Sequence, residues 1–401
     1  MANNIEGDIK KEIQTLRPEV LYVKNPITNA VVSSTQIEHN VSFIQHSVLE
    51  ASSGGSVALS TSDSSEITFL FPKNIGTIQK LLVRLSLAQA TANGLAYLSK
   101  SLTDCQIRIG GQSLGIYKPE SLFYDTCLAH DFDAGAQAYL ITENGMAATF
   151  LDGQTLVAAA TAHFFVDITG ALRNEALVVS AIDDEVRLTF RYNSSGDWIT
   201  NTTGSTTVDD LELHVSYWND GQDALHRLAY KNFDMIYLAP QSLSERTVSG
   251  TTELTRSKLD NFTGHAAYLS IMVEDVSLDI GSTSQIFSAL NYAKVVNSAG
   301  IRVQSDSDSN VLESQLIRQG HDRLGQAFYP FYQTKSYIYP FSDDLRGAQK
   351  GKVNGGYHFT GQNEAITIKS TDANADNLKL IIWHWKVAKF RNNRIESILT
   401  L

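Results

Sequence analysis

The chain has 401 residues, of which 43% are hydrophobic and 19% charged, so its composition is that of an ordinary folded protein with two or three domains. Its formal net charge of −11 argues against coating nucleic acid, because neutralising phosphates requires concentrated Lys and Arg. With two cysteines, Cys105 and Cys127, and no apolar stretch at the N-terminus, the sequence predicts a soluble protein with free thiols, made in the cytoplasm.

The first 38 residues are predicted to form an N-terminal arm that precedes the first domain. Within it Ile5, Ile9, Ile13 and Leu16 recur at helical spacing, so residues 5–16 would form a one-sided amphipathic helix. The polar face of this helix carries acids as well as lysines, whereas helices that lie on anionic lipid usually present a basic face. We therefore expect the arm to contact a neighbouring molecule, with a disordered arm as the alternative.

The rest of the chain is predicted to be all-β. Short stretches rich in Val, Ile, Phe, Tyr and Thr are separated by Gly, Asn, Asp and Ser. They form two series, the first being Glu66–Phe71, Leu81–Leu87, Cys105–Ile109, Phe164–Ile168, Val186–Tyr192 and Leu211–Trp218, and the second Ala267–Val273, Tyr337–Phe341, Ala365–Lys369 and Leu378–Val387. Two short helices are predicted at Pro119–Cys127 and Gln285–Lys294. Many short strands with little helix indicate sandwiches or barrels, joined here by long loops.

The two series of strands are similar enough to suggest a duplication. LELHVSYW at Leu211–Trp218 is similar to LKLIIWHW at Leu378–Trp385, 167 residues later. Three further similarities follow the same order at offsets of 173 to 187 residues, pairing residues 74–85 with 261–273, 164–173 with 337–346, and 186–191 with 364–369. A tandem duplication explains this better than coincidence. The sequence therefore predicts two homologous β-domains, residues 39–225 and 226–390, followed by a C-terminal tail, residues 391–401.

The strand at Leu378–Val387 is predicted to be covered on both faces. Leu378, Leu380 and Ile382 are apolar, and so are Ile381, Trp383 and Trp385 on the opposite face. Because a strand with one face in water would keep that face polar, one face should meet the sandwich core. The other should meet another domain or subunit, or a loop or helix of the same domain.

The C-terminal region carries a local concentration of positive charge. Lys386, Lys389, Arg391 and Arg394 follow one another with no acid before Glu396. A solvated tail is one interpretation of this pattern, and contact with lipid headgroups or with an acidic protein is the other.

Three segments carry a resemblance to a known family. FPKNIGTIQKLLVRLSLA (Phe71–Ala88), followed by CQIRIGGQSLGIY (Cys105–Tyr117), resembles the first jelly roll of double jelly-roll major capsid proteins. YIYPFSDDLRGAQKGKVNGGYHFTGQNEAITI (Tyr337–Ile368) resembles the second. The resemblance covers most of residues 65–390 and implies two tandem eight-stranded jelly rolls with a few short helices and long loops.

The resemblance also implies a function. Such a chain would be the major capsid protein of a tailless icosahedral DNA virus, made in the host cytoplasm and located in the virion. Three chains would form a pseudo-hexagonal trimer that tiles the shell. Its expected partners are its own copies in the homotrimer, neighbouring capsomers, minor capsid or membrane proteins and internal membrane lipid, but not nucleic acid. The candidate interface residues are Ile5, Ile9, Ile13, Leu16, Ile381, Trp383, Trp385, Lys386, Lys389, Arg391 and Arg394.

Two other functions fit parts of the sequence. A viral spike or a carbohydrate- or receptor-binding β-sandwich protein could also use jelly rolls. A serine hydrolase would use Ser113, since Gly111–Gly115 (GQSLG) fits the G-x-S-x-G pattern. That motif needs a helix directly after the serine, whereas a strand is predicted there, so the glycines indicate a tight turn. We expect no catalysis, cofactor or metal, because no metal or nucleotide motif is complete.

Overall fold

The computed structural model describes most of both predicted domains. The described residues are 23–24, 31–32, 43–50, 65–89, 94–96, 102–129, 154–156, 160–173, 177–193, 199–201, 206–219, 223–243, 246–249, 255–259, 262–274, 290–297, 307–308, 337–345, 348, 353, 355–371 and 375–401. The amphipathic helix predicted at residues 5–16, with its four apolar candidates, lies outside them.

Strands dominate the described residues. In chain order they are β1 (Val23–Lys24), β2 (Val31–Val32), β3 (Phe43–Glu50), β4 (Ser65–Leu70), β5 (Thr77–Gln89), β6 (Gly94–Ala96), β7 (Leu102–Ile109), β8 (Gln112–Tyr117), β9 (Gln154–Leu156), β10 (Ala160–Asp167), β11 (Val186–Tyr192), β12 (Ile199–Asn201), β13 (Thr206–Asn219), β14 (Asn232–Ser242), β15 (Arg246–Ser249), β16 (Thr255–Lys258), β17 (Gly264–Glu274), β18 (Leu290–Val296), β19 (Ser307–Asp308), β20 (Tyr337–Pro340), β21 (Tyr357–Phe359), β22 (Ala365–Ser370), β23 (Ala375–Arg391) and β24 (Arg394–Thr400).

Helices are few in the described part of the chain. They are α1 (Pro119–Ala129), α2 (Asp223–Ala229) and two 3₁₀ helices at Gly170–Arg173 and Val179–Ala181. None of the described helices has the length and hydropathy needed to cross a bilayer. The helix predicted at Pro119–Cys127 is confirmed, with proline in the first turn, where its missing N–H costs nothing.

The first domain is a jelly roll of two four-stranded antiparallel sheets. One sheet has the order β10-β5-β13-β3 and the other β4-β11-β7-β8. Alternate side chains of the strands face inward, so that Leu81 and Leu213 of the first sheet lie in the same core as Phe69, Ile107 and Leu188 of the second. Three short strands, β12-β6-β9, form a separate sheet within the connections of this domain.

The second domain repeats this topology. Its sheets have the orders β14-β23-β17-β20 and β16-β22-β18-β19, which are the first-domain orders with each strand replaced by its counterpart. All four similarities found in the sequence fall on equivalent strands or on the segments that join them: β5 with β17, β10 with β20, β11 with β22, and β13 with β23. The prediction of two tandem jelly rolls is therefore confirmed.

One predicted helix is wrong. Within Gln285–Lys294 the described residues from Leu290 onward belong to strand β18. Leu290, Ala293 and Val295 are buried in the second core, and β18 pairs with β22 along its length. Apolar spacing in so short a run fits either a helix or a strand, and here sheet pairing decides.

The prediction of a C-terminal tail at residues 391–401 is also wrong. Residues 394–400 form β24, which pairs with β23 through a two-residue turn at Asn392 and Asn393. Both turn residues have positive φ, 52° and 64°, which a type I′ hairpin requires and which Asn tolerates better than most residues. Ile395 is buried in the main core, so this segment belongs to the fold.

Candidate assembly interfaces

Strand β23 is buried on both faces, as predicted. Leu378, Leu380 and Ile382 lie in the core of the second domain. Ile381, Trp383 and Trp385 lie in the larger cluster that also contains the first-domain core. The second cover predicted from the sequence is therefore the first domain of the same chain, so these three candidate residues are not available to another subunit.

Trp383 is one of the two tryptophans among these three side chains, which lie in the cluster shared with the first domain. Its side chain is fully buried and stacks on Tyr268, with ring centroids 5.3 Å apart. Its indole Nε1 donates a hydrogen bond of 3.0 Å to the hydroxyl of Ser270, which is also buried. Leaving a buried N–H without a partner costs free energy, so the hydrogen bond to Ser270 favours the burial of this large ring.

Helix α1 of the first domain contacts the outer side of the sheet that contains β23. The hydroxyl of Tyr124 donates to the carbonyl oxygens of Ile271, at 3.4 Å, and Tyr337, at 3.2 Å. The carboxylate of Glu120 accepts a hydrogen bond of 2.9 Å from Lys379, whose ammonium also lies 3.2 Å from Glu274. These directional contacts fix the orientation of the two domains, which apolar burial alone would not do.

The C-terminal turn joins the second domain to the first. Asn393 is 93% buried, and its Nδ2 donates to the carbonyl oxygens of Ala181, at 2.9 Å, and Arg227, at 2.7 Å. Its own carbonyl accepts from the backbone N–H of Asp183 at 2.7 Å. The backbone N–H of Ile395 donates to the Asp184 carboxylate at 2.8 Å. We call residues 391–395 the C-terminal clasp.

Replacing Asn393 with Gly should weaken the clasp, whereas replacing Asn392 with Gly should not. Glycine accepts the positive φ at both positions, so backbone strain is matched. Only Asn393→Gly leaves two carbonyl oxygens without their side-chain donor, which should lower the free energy of unfolding by about 1–3 kcal/mol. Denaturant titration of both variants measures the difference. Equal stabilities would show that the side chain of Asn393 does not hold the domains together.

The four basic candidates near the C-terminus are not one patch of free charge. Arg391 donates to the Asp234 carboxylate at 2.7 Å. Lys389 is half-buried opposite Asp234 on β14, and Lys386 is half-buried between Tyr237 and Thr400. Burial lowers the pKa of Lys386. Arg394 is exposed, so it is the member of the group best placed to meet a partner.

His384 should make the protein less stable in mild acid. Burial, followed by the nearby Lys386 ammonium, lowers the pKa of His384 from 6.5 to about 3. The folded protein therefore holds this imidazole neutral while the unfolded chain protonates it. The contribution of neutral His384 to the free energy of unfolding is therefore complete above pH 6.5 and is lost as the pH falls towards 3.

The expected loss from His384 at pH 5 is about 2 kcal/mol relative to pH 7.5. Chemical denaturation of the wild type and of His384→Gln at both pH values tests this expectation. The glutamine variant should lose less stability on acidification, whatever its stability at pH 7.5. Identical pH dependence in the two proteins would contradict the assignment.

Ser113 lies in a β-hairpin. Gly110 and Gly111, with φ of 54° and 85°, form the turn between β7 and β8. The tight turn is therefore confirmed at Gly111, whereas Gly115, the other glycine of the motif, lies within β8. The residues after Ser113 continue strand β8, and the Ser113 hydroxyl donates to the carbonyl of Gly115 at 3.1 Å. A nucleophile elbow would need a helix at this point.

Sequence reasoning did not identify Glu120, Tyr124 or Asn393 as contact residues. The first two lie on a helix with no strongly apolar face, and their partners are more than 140 residues away in sequence. Asn393 could have been found, because two consecutive asparagines between alternating strands are a hairpin signal.

Comparisons with known proteins detect the fold through structure. No family model and no curated protein matches the sequence. VP54 of PBCV-1 matches with a TM-score of 0.65 at 13% identity, over 90% of this chain and 97% of that chain. The Faustovirus major capsid protein matches with a TM-score of 0.63 at 10% identity, over 97% and 98% of the two chains. The STIV MCP matches with a TM-score of 0.52 at 12% identity, over 86% and 96%. The chain is a double jelly roll, the fold of these major capsid proteins.

Proposed function

We propose that the chain is the major capsid protein of an icosahedral DNA virus, located in the virion, and that it assembles as a homotrimer of pseudo-hexagonal outline. The observation that carries this proposal is the pair of jelly rolls with identical strand order, one covering the other within a chain. The similar structures include the PBCV-1 virus capsid and the Faustovirus major capsid protein, which supports the capsid role.

The contact between the two domains suggests where the next subunit would bind. The outer face of β23 and β17 in the second domain is covered by the first domain, so that Ile381, Trp383 and Met272 are buried. The duplication gives the first domain an equivalent face on β13 and β5. There, Leu213 corresponds to Leu380, so His214 corresponds to Ile381.

This equivalent face is less buried and more polar. Val48, His214 and Leu82 lie in one row across β3, β13 and β5, with Val48 45% exposed and the other two half-buried. Beside them, the Glu212 carboxylate lies 3.1 Å from Arg84 and 3.0 Å from His214. Mixed polar and apolar residues are typical of a face that must be soluble before assembly.

The second domain of a neighbouring chain would cover this face as the first domain covers β23. Repeating the contact alternately within and between chains produces a ring of six jelly rolls from three chains, with closed symmetry. The N-terminal arm, the exposed Arg394 and the loops would then be available to neighbouring capsomers, to minor capsid or membrane proteins, or to internal lipid. A structural role needs no catalytic residue, so we propose that the chain is not an enzyme.

Native mass spectrometry at micromolar concentration should show a trimer. Val48→Asp should weaken it at least about tenfold, because a desolvated carboxylate would enter the interface. Val353→Asp is the matched control, since Val353 is 53% exposed and lies outside this face. Circular dichroism should show both variants folded. A monodisperse wild-type monomer would overturn the proposed assembly.

A further inference from the structure

The formal charges of the two domains differ sharply. Residues 39–225 contain nine Lys and Arg against 21 Asp and Glu, a charge of −12. Residues 226–390 contain 17 Lys and Arg against 16 Asp and Glu, a charge of +1. The acidity of the chain is therefore a property of its first domain. The second domain is therefore the part of a chain that the acidic first domain of another copy repels least.

The positive charge of the second domain includes a group on one sheet face, which we call the basic face. Ile366 and Ile368 of β22, and Ala293 and Val295 of β18, lie in the core. Thr367, Lys369 and Lys294 alternate with them and are half-exposed on the opposite side. The strand register places Arg256 of β16 in the same row as Thr367 and Lys294.

The basic face carries little compensating charge in the described part of the chain. Asp308 of β19 is the acid that the register places here, opposite Tyr292 and two strands from Lys369. Lys294 and Lys369 make no ion pair with any described residue, whereas Lys379 on the other sheet contacts two carboxylates. Two neighbouring lysines without an ion pair among the described residues are suited to a partner of opposite charge.

The basic face takes no part in the contact between the domains of one chain. Among the described residues of the first domain, the hydrogen bonds to the second come from α1, β8 and the loop around Asp183, not from the outer face of the β4-β11-β7-β8 sheet. By the duplication, the equivalent face of the second domain is not used inside the trimer either. It remains available for contact between trimers.

We propose that the basic face, with Lys294 and Lys369 at its centre, binds the acidic first domain of a chain in a neighbouring capsomer. This inference rests on the proposed capsid function and adds a contact between capsomers to it. Single exposed ion pairs contribute little, but the same contact repeats around every capsomer, so small contributions accumulate over the shell. Salt should weaken this contact more than the trimer, whose interface is largely buried.

The test compares the double variant Lys294→Glu/Lys369→Glu with Lys118→Glu/Lys231→Glu, which makes the same change in net charge at exposed positions outside the basic face. Native mass spectrometry first establishes that both variants remain trimers. Light scattering then measures the concentration at which trimers form larger assemblies. The basic-face variant should raise that concentration at least about tenfold at low salt, and the control less than about twofold.

Carbodiimide cross-linking of mixed nitrogen-14 and nitrogen-15 chains identifies the partner. Lys294 or Lys369 should link to Asp or Glu of residues 39–225 in a differently labelled chain. If the Lys294→Glu/Lys369→Glu variant remains a trimer and its trimers assemble as the wild type does, this inference is overturned and the proposed function stays in place. A monomeric wild type would instead overturn the proposed function. Binding of the wild type and of the basic-face variant to duplex DNA and to phosphatidylserine vesicles is also measured. If the variant loses this binding while its assembly is unchanged, the basic face binds a different ligand and the inference is overturned.

Discussion

Truncating Leu213 or Leu380 to Ala should lower the free energy of unfolding by about 2–5 kcal/mol in each case. Both side chains are almost completely buried at equivalent positions of the two domains. Leu213 lies opposite Val83 in the first core, and Leu380 lies opposite Ile271 in the second. Each substitution removes apolar contacts and leaves a cavity that strands fixed in a sheet can fill only in part.

The two losses should add, because the leucines belong to different clusters of buried residues. The double variant should therefore match the sum of the single variants within about 0.5 kcal/mol in denaturant titrations. Leu70→Ala is the control, since Leu70 is 48% exposed and its truncation should cost less than about 0.5 kcal/mol. A coupling of several kcal/mol would argue that the two jelly rolls share one core.

Deleting residues 2–30 should abolish shell formation while leaving a folded trimer whose melting temperature changes little. The described part of the arm is consistent with this expectation: strands β1 and β2 are two residues long and pair with each other, outside the sheets of either jelly roll. The predicted helix at residues 5–16 is too short to be stable alone in water, so it should become ordered only against a partner.

Point variants separate the apolar face of the arm from its length. Ile9→Asp/Ile13→Asp should reproduce the assembly defect in a full-length chain, whereas Asn3→Asp/Asn4→Asp should assemble normally. Electron microscopy counts the particles, and calorimetry measures the melting temperature. A truncated protein that aggregates, or melts many degrees lower, would place the arm inside a jelly roll. If the truncated chain forms normal particles, the arm has no role in assembly.

The sequence was most informative where local pattern and burial agree. Val186–Tyr192 is a strand with the predicted bounds, because its alternating side chains face one core. The repeat could be recognised because equivalent strands such as β13 and β23 keep the same inward leucine. The apolar side chains on both faces of Leu378–Val387 also correctly predicted that both faces are buried, because an apolar face is not left in contact with water.

The features that sequence pattern did not predict depend on contacts between distant segments. The C-terminal residues contain charges that suggest a solvated tail, yet β24 is a strand because β23 offers it a free edge. The sequence also could not predict that the first domain buries the face of β23 that contains Trp383, since another subunit would have satisfied the same apolar pattern. In the positive cluster near the C-terminus, Arg391 is paired with Asp234, which is over 150 residues away in sequence.

Cryo-electron microscopy of the purified protein tests the central claim most directly. The proposed function predicts particles of pseudo-hexagonal outline, in which three chains contribute six jelly rolls and the face containing Val48, His214 and Leu82 is covered by the second domain of the next chain. A two-lobed monomer, or an elongated spike that leaves this face open to solvent, would contradict it.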